Sequence, residues 1–404
     1  MAKEFKFIHC SDLHLGAPFK KISSYDHSMG EKIVNAPFAA LNRIIDKGIS
    51  EKAGFIIFSG DIFDSENTTP HSRFLFAEAL RRAGTAGIRC YIAYGNHDHS
   101  RMWEDSIPFP DNAIEFPSDG PVNVPYPDEK DKLADVIGIS HGTSAEGRDL
   151  TADIHGTSSF SIAVVHCDID SSSEGKRYAP CRLNDLLSKK DIDYWALGHI
   201  HKRAVLHEAP YIVYPGNTQG RSTKETDEKG AYLITVMDGK VAKMEFFATH
   251  SIMWKELEVN ITGKDITSFI DSIRTIIPRG SFVKLKVSGR GVLDRMIRLE
   301  QKSMIAAIET HTGCRIAEIE ASTMPDIDIN ERRNTGDFTS AVIKEADRLS
   351  TVPRDVLIAA ICTTKASSSP EIMSVFREMD DDELRKMVND ALASVLERLA
   401  GGRR

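Results

Sequence analysis

The stretch Tyr94-Gly95-Asn96-His97-Asp98, which ends the apolar run begun at Cys90, decides how the rest of the chain is read. A short β-prone run that stops at a glycine and then presents an amide, an imidazole and a carboxylate is a strand handing polar groups to a rim. Four other apolar runs end the same way. Lys6-Phe7-Ile8-His9-Cys10-Ser11 leads to Asp12 and His14, and Phe55-Ile56-Ile57-Phe58-Ser59-Gly60 leads to Asp61 and Asp64. Phe160 to Val165 ends in His166, and Tyr194-Trp195-Ala196-Leu197-Gly198 ends in His199 and His201. Each is a buried-type strand with metal-ligand chemistry at its C-terminal end.

Between these runs the pattern is helical. After Asp64 comes a polar turn, then Thr69 as a cap, Pro70 as first helical residue, and a helix through Phe74, Ala77 and Leu80 that Gly84 and Gly87 stop. Strand, loop, helix, strand is the repeat of an α/β fold. Residues 100–132, rich in Pro, Asp and Gly, read as a long irregular excursion with short edge strands at most. Pro210 to Tyr214 and Ala231 to Val236, followed by Lys240 to Phe247, read as a strand pair closing a domain over residues 1–250.

The remainder has other rhythms. Residues 252–323 read β-α-β-α-β, with Leu257, Val259 and Ile261 alternating and one long helix taking in Leu293, Met296, Ile297 and Met304. This predicts a small α+β cap domain. Residues 324–336 are polar and unpatterned, a linker, and residues 337–404 read as a helical unit. Its last helix opens on Asp380 to Glu383, suited to the positive end of its dipole. It then sets Leu384, Met387, Val388, Ala391, Leu392, Val395, Leu396 and Leu399 on one face, to be packed inside its own domain or docked on a partner.

Composition narrows the class. A chain of 404 residues with 41% hydrophobic residues is globular and long enough for two or three domains. Its formal charge of −8 gives no sign of a nucleic-acid partner, so any such binding must be local. The six cysteines (Cys10, Cys90, Cys167, Cys181, Cys314, Cys362) form no Cys-x-x-Cys pair and read as reduced core residues. No apolar h-region opens the sequence, and no apolar stretch approaches the roughly 20 residues of a membrane span. A cytoplasmic protein without a membrane segment is expected.

Asp12 and His14 stand at i and i+2, so on an extended strand end they point to one side, and His199 and His201 repeat the spacing. With Asp61, Asn96 and His166 they offer oxygen and nitrogen donors and no thiolate, enough for two cations sharing one carboxylate. Such a set favours Mn²⁺, Fe²⁺ or Zn²⁺ in a catalytic pair over a structural zinc. Two dications about 3.5–4 Å apart can hold a phosphoester and acidify water.

The same residues carry a resemblance. Asp12-Leu13-His14, Gly60-Asp61-Ile62-Phe63-Asp64, Gly95-Asn96-His97-Asp98, His166 and Gly198-His199-Ile200-His201 resemble the motifs of calcineurin-like metallophosphoesterases. The flanks His9 to Gly16, Tyr214 to Arg221 and Glu228-Lys229-Gly230 are similar to SbcD-type DNA repair exonucleases of the YhaO-like branch. The resemblance implies a β-sandwich flanked by helices in residues 1–250, and a two-metal phosphodiesterase acting on DNA. It implies one metal on Asp12, His14 and His201, a second on Asn96, His166 and His199, and Asp61 between them. His97 is then the catalytic group at the leaving oxygen, and Asp64 its orienter. Lys202, Arg203 and Arg221, with Asn217 and Gln219 shaping the rim, are expected to meet the phosphate backbone. Mn²⁺, a homodimer, and a separate SbcC-like or YhaN-like coiled-coil ATPase docked on the helical tail complete the expectation.

Other readings remain open on the residues alone. The same motifs serve enzymes acting on small phosphodiesters or phosphoproteins, and a non-catalytic scaffold for the ATPase is a further alternative. Gly138-Ile139-Ser140-His141-Gly142 matches the elbow of serine hydrolases, but the polar stretch after it lacks the helix the elbow needs. His99 and His141 read as core or rim residues. No Gly-x-x-x-x-Gly-Lys-Ser/Thr loop is present.

Overall fold

The computed structural model describes residues 3–17, 27–64, 68–99, 108–157, 160–170, 178–226, 228–326, 329–362 and 370–401. It divides into two units, Met1–Trp254 and Lys255–Arg404. The first contains β1 (Glu4–Cys10), α1 (His27–Glu51), β2 (Phe55–Ser59), α2 (Pro70–Thr85), β3 (Arg89–Ala93), β4 (Ala113–Glu115), β5 (Val122–Tyr126), β6 (Ala134–Ile139) and β7 (Ser161–His166). It continues through β8 (Asp168–Ile169), β9 (Pro180–Cys181), α3 (Leu183–Ser188), β10 (Tyr194–Gly198), β11 (Ala204–Glu208), β12 (Tyr211–Tyr214), β13 (Gly230–Met237) and β14 (Lys240–Ala248).

Two six-stranded sheets result, ordered β14-β13-β1-β2-β3-β4 and β11-β12-β10-β7-β6-β5. Their central strands are continuous apolar runs because both faces are covered. In β2, Phe55 and Ile57 turn inward, where they join Phe7, Tyr91, Ile162, Val164 and Tyr194 in the core between the sheets. Ile56 and Phe58 turn outward under Leu41, Ile44, Phe76 and Leu80 of α1 and α2. On the far side of the second sheet, Val165, Trp195 and Leu197 pack with Leu186 of α3. The expected helix-flanked β-sandwich is the fold.

Parallel pairing decides where the chemistry collects. β1, β2 and β3 run parallel, as do β6, β7 and β10. All six therefore end on one rim. Thr69 caps α2 by accepting a hydrogen bond from the Ser72 amide, with Pro70 in the first turn, as the sequence predicts. Two features differ from expectation. β12 does not pair with β13: it lies beside β10 in the second sheet, while β13 and β14 form the edge of the first. Residues 27–51, given no element in the sequence reading, form α1 despite Pro37, burying Ile33, Ala36, Ala40, Leu41 and Ile44.

The sheets close together at the rim. A Cβ on Gly198 would lie 1.8 Å from the Ser59 carbonyl oxygen, and backbone cannot yield as a side chain can. Gly198→Ala is expected to lower stability by about 3 kcal/mol or more, at or beyond the upper end of ordinary overpacking. Urea unfolding checks this through its midpoint at unchanged slope.

The second unit holds β15 (Trp254–Asn260, starting at the boundary), α4 (Ile266–Arg274), β16 (Phe282–Arg290), α5 (Asp294–Leu299), α6 (Gln301–Thr312) and β17 (Arg315–Met324). These build a three-stranded sheet, β15-β16-β17, over a core of Val259, Phe269, Leu285, Ile297 and Met304. The single long helix expected around Leu293 to Met304 is instead two, broken at Glu300, whose φ of −117° and ψ of 35° leave the helical region. Within 324–336, read as unpatterned linker, a short helix α7 (Ile329–Arg333) forms. Then come α8 (Phe338–Leu349), α9 (Arg354–Ile361), α10 (Pro370–Glu378) and α11 (Asp381–Gly401). The apolar stripe of α11 divides: Leu384, Val388, Leu392 and Leu396 are buried with Ile343 and Leu357. Met387, Ala391 and Val395 line an open groove of about 540 Å³ with Val342 and Leu349. Among the described residues, no helix is long and apolar enough to cross a membrane.

Candidate metal centre

Past Cys10 the chain stays alongside the end of β2: the Asp12 amide donates to the Gly60 carbonyl at 3.0 Å and the His14 amide to that of Asp61, also at 3.0 Å. The turn this requires is tight. Asp12 (φ 51°), His14 (φ 47°), Asp61 (φ 50°) and His199 (φ 103°) all have left-handed backbones. That conformation costs about 1–3 kcal/mol per non-glycine residue and clusters at working sites. Gly60 precedes Asp61 with φ 92° and packs against His166, where a Cβ would meet the ring at 2.2 Å.

The expected ligands come together from both sheets. Asp12, His14, Asp61 and Asn96 follow β1, β2 and β3, while His166, His199 and His201 come from the ends of β7 and β10. Ligand atoms of Asp12, His14 and His201 lie within 4.8 Å of one another, as do those of Asp12, Asp61 and His166. Nε2 of His14 and of His201 face each other at 3.0 Å. On the other side, Asn96 Oδ1 is 3.1 Å from His166 Nε2 and 3.2 Å from His199 Nδ1. Between the two groups stands Asp61, its Oδ2 3.8 Å from His14 Nε2 and 3.4 Å from His166 Nε2.

Proton bookkeeping shows that this set fits a cation pair. His166 Nδ1 donates to the Ser59 carbonyl at 2.9 Å, since a carbonyl only accepts. In the neutral ring its Nε2 then carries a lone pair, aimed at the oxygens of Asn96 and Asp61, which are acceptors too. Only a second proton or a cation satisfies that arrangement. Burial pushes the imidazole down, but the Asp61 charge and hydrogen bond outweigh it and lift it to about 9. Burial likewise opposes the Asp61 carboxylate, yet His166, His14 and His97 hold it well below the usual range. Asp12 Oδ1 is buried without a hydrogen-bond partner among the described groups, a high cost for a carboxylate unless a cation meets it.

His97 stands at the open side, its side chain 40% exposed. Its Nδ1 is 3.4 Å from Asp64 Oδ1, while Arg221 Nη2 donates to Asp64 Oδ2 at 3.1 Å. The Asp64 contact raises the imidazole above its ordinary value, with Asp61 adding to it against burial, and the same contact lowers Asp64. His97 also lies within ligand distance of His14 and Asp61. Of the residues expected to meet a backbone phosphate, Arg221 is thus tied to Asp64, Arg203 lies over the Phe246 ring at 3.6 Å, and Lys202 is exposed. Gln219 is turned away from the rim: its Oε1 accepts from the Ser251 and Ile252 amides.

Three further groups support the cluster. His141 Nε2 donates to the His166 carbonyl at 2.7 Å from a fully buried position, the core alternative of the two roles left open by the sequence. Asp98, also fully buried, accepts the amides of Ile62, Phe63 and Gly95 and so ties the β2 turn to the β3 turn. Burial, then the Asp61 charge, raises its carboxyl to about 7. Glu225, which the sequence reading passes over, receives His201 Nδ1 at 2.7 Å. Its only sequence signal is its place between two of the quoted flanks. The serine-hydrolase elbow is excluded geometrically: Ser140 Oγ is buried, donating to the Phe116 carbonyl and accepting from the Tyr94 amide.

Comparison with known proteins gives the context. The calcineurin-like phosphoesterase family profile matches residues 5–203. The uncharacterized metallophosphoesterase YhaO of Bacillus subtilis (strain 168) is 33% identical over 301 residues, which span 74% of this chain and 72% of that protein. The DNA double-strand break repair protein Mre11 of Sulfurisphaera tokodaii is 27% identical over 209 residues, 50% of each chain. Among solved structures, the calcineurin-like phosphoesterase YfkN from Bacillus subtilis has a TM-score of 0.36 at 15% identity, covering 62% of this chain and 92% of that one.

Proposed function

The chain belongs to the calcineurin-like metallophosphoesterase family, and from that premise we propose that it is a two-metal phosphodiesterase that cuts DNA, an exonuclease of the repair class. The observation that carries the hydrolase reading is the convergence of lone pairs from Asp12, His14, Asp61, Asn96, His166, His199 and His201 beside a paired His97 and Asp64. The likeness to Mre11, over half of its length, supports DNA as the substrate.

In this reading Asp12, His14 and His201 hold one divalent cation, Asn96, His166 and His199 the other, and Asp61 both. When bound, the pair supplies Lewis-acid polarisation of the phosphoester and an acidified water. The oxygen and nitrogen donor set suits Mn²⁺. His97, protonated, donates to the leaving oxygen, and Asp64 holds both its ring and its charge. In the same reading Lys202 and Arg203, which follow the ligand His201 in the chain, meet the phosphate backbone.

The sign of the pH dependence follows. Donation needs the imidazolium, so activity falls as pH rises through the His97 pKa, which Asp64 holds above its ordinary value. Asp64→Asn is expected to move the alkaline limb of the kcat profile to lower pH. An unmoved limb would separate Asp64 from His97.

The test is Mn²⁺-dependent release of nucleotides from linear double-stranded DNA, with a small chromogenic phosphodiester as the rival substrate. DNA degradation, with binding that weakens steeply as salt rises, supports the nuclease. Cleavage of the small ester alone would favour the second reading, a small-phosphodiester or phosphoprotein hydrolase, which the net charge of −8 suits better.

We further propose that the helical tail docks on a coiled-coil ATPase of the SbcC or YhaN kind. The apolar groove along α8 and α11 supports this. Unchanged co-purification of that ATPase after deletion of residues 335–404 would end the idea.

A further inference from the structure

Resting on the two-metal reading, we infer that Glu225 is the positioning residue of the centre: it fixes the tautomer and aim of His201 and, through the same loop, the arm that steadies Asp64. A carboxylate only accepts, so the 2.7 Å contact puts the proton of His201 on Nδ1 and leaves Nε2 as the lone-pair donor facing His14. The other oxygen, Oε2, accepts from Asn217 Nδ2 at 2.8 Å and from the Arg221 amide at 2.6 Å. Arg221 in turn reaches Asp64, the partner of His97. One side chain thus joins a ligand from the second sheet to the group that holds the catalytic histidine.

The surroundings keep this arm in place. The Gly220 carbonyl accepts the Trp254 indole at 2.8 Å, and the Thr218 carbonyl accepts Thr249 Oγ1 at 2.7 Å. The Lys229 ammonium donates to the His201 carbonyl at 2.9 Å. Burial works against the charge on Glu225, but its bond to His201 and those from Arg221 and Asn217 hold it at about 2. Three donors converge on two carboxylate oxygens, an arrangement that an amide cannot reproduce. With glutamine, the NH₂ must face either His201 Nδ1–H or the Asn217 and Arg221 donors.

The experiment titrates Mn²⁺ into the metal-stripped full chain, following bound ion by calorimetry and electron paramagnetic resonance, for the wild type and Glu225→Gln. The expected result is two sites in the wild type, one of them weakened in the variant by about 10–100-fold, the usual effect of losing such a partner. The other site should stay as it was. Glu225→Asp, which keeps an all-acceptor group, should recover part of the loss. Histidine ¹⁵N spectra of the Zn²⁺-loaded wild type provide a measurement that needs no variant: His201 should be protonated at Nδ1.

Two equal-affinity sites in both proteins, or a His201 protonated at Nε2, would overturn the positioning role and leave the two-metal reading intact. A wild type that holds no Mn²⁺ would overturn both. Loss of DNA cleavage with normal two-site binding in the variant would count against Glu225 acting through His201.

Discussion

Asp61→Asn should abolish measurable hydrolysis and empty the metal centre, with kcat reduced about 10³-fold or more. The carboxylate stands between the two ligand groups, 3.8 Å from His14 Nε2 and 3.4 Å from His166 Nε2. It also accepts the His97 amide through Oδ1 at 2.9 Å. Asparagine matches the shape but removes the charge shared by both ions, and its NH₂ must face an imidazole nitrogen or that amide. Several kcal/mol of electrostatic stabilisation are lost, each 1.36 kcal/mol being about tenfold in rate. Metal analysis after gel filtration, alongside steady-state rates, decides the matter. A variant that keeps two ions and a rate within about tenfold of wild type would show that Asp61 does not bridge.

The second large effect is at His97, and it should be chemically selective. Removing a general acid costs about 10²–10⁴-fold. His97→Ala should lose that much on DNA, whose alkoxide leaving group needs a proton, and far less on a nitrophenyl ester, whose leaving group does not. Metal content should be unchanged. With its side chain 40% exposed, the ring can be removed without opening a core cavity. Equal losses on the two substrates would assign His97 to metal or substrate binding instead, a role its nearness to His14 and Asp61 also allows.

Both predictions concern residues that could be read from the chain, and the reason is geometric. A strand that ends in Gly-Asn-His or Gly-Asp announces its own rim, because burial on both faces leaves a purely apolar run with chemistry only past its end. What could not be read depends on contacts between distant segments. Apolar runs mark Pro210 to Tyr214 and Ala231 to Val236 as strands, but nothing in them says that they join different sheets. Glu225 sits in a polar loop with no periodicity, so its partnership with His201 exists only in three dimensions. Arg221 reads from the chain as a contact for the phosphate backbone, whereas its tie to Asp64 spans 157 positions. Pro37 obscures α1, and the apolar spacing around Leu293 to Met304 does not reveal the turn at Glu300, because the periodicity resumes beyond it.

The division of ligands between the two sheets has a consequence for how long the protein lasts. Asp12, His14, Asp61 and Asn96 belong to one leaf of the sandwich, and His166, His199 and His201 to the other, so cations held there rivet the leaves together. Mass action makes the folded state more stable by RT ln(1 + [L]/Kd), about 2.7 kcal/mol at one hundred times Kd. A shift of that size changes the fraction open to proteases by about a hundredfold. Starving a cell of the metal would then thin out the protein itself, so that supply of the ion governs abundance before it limits turnover.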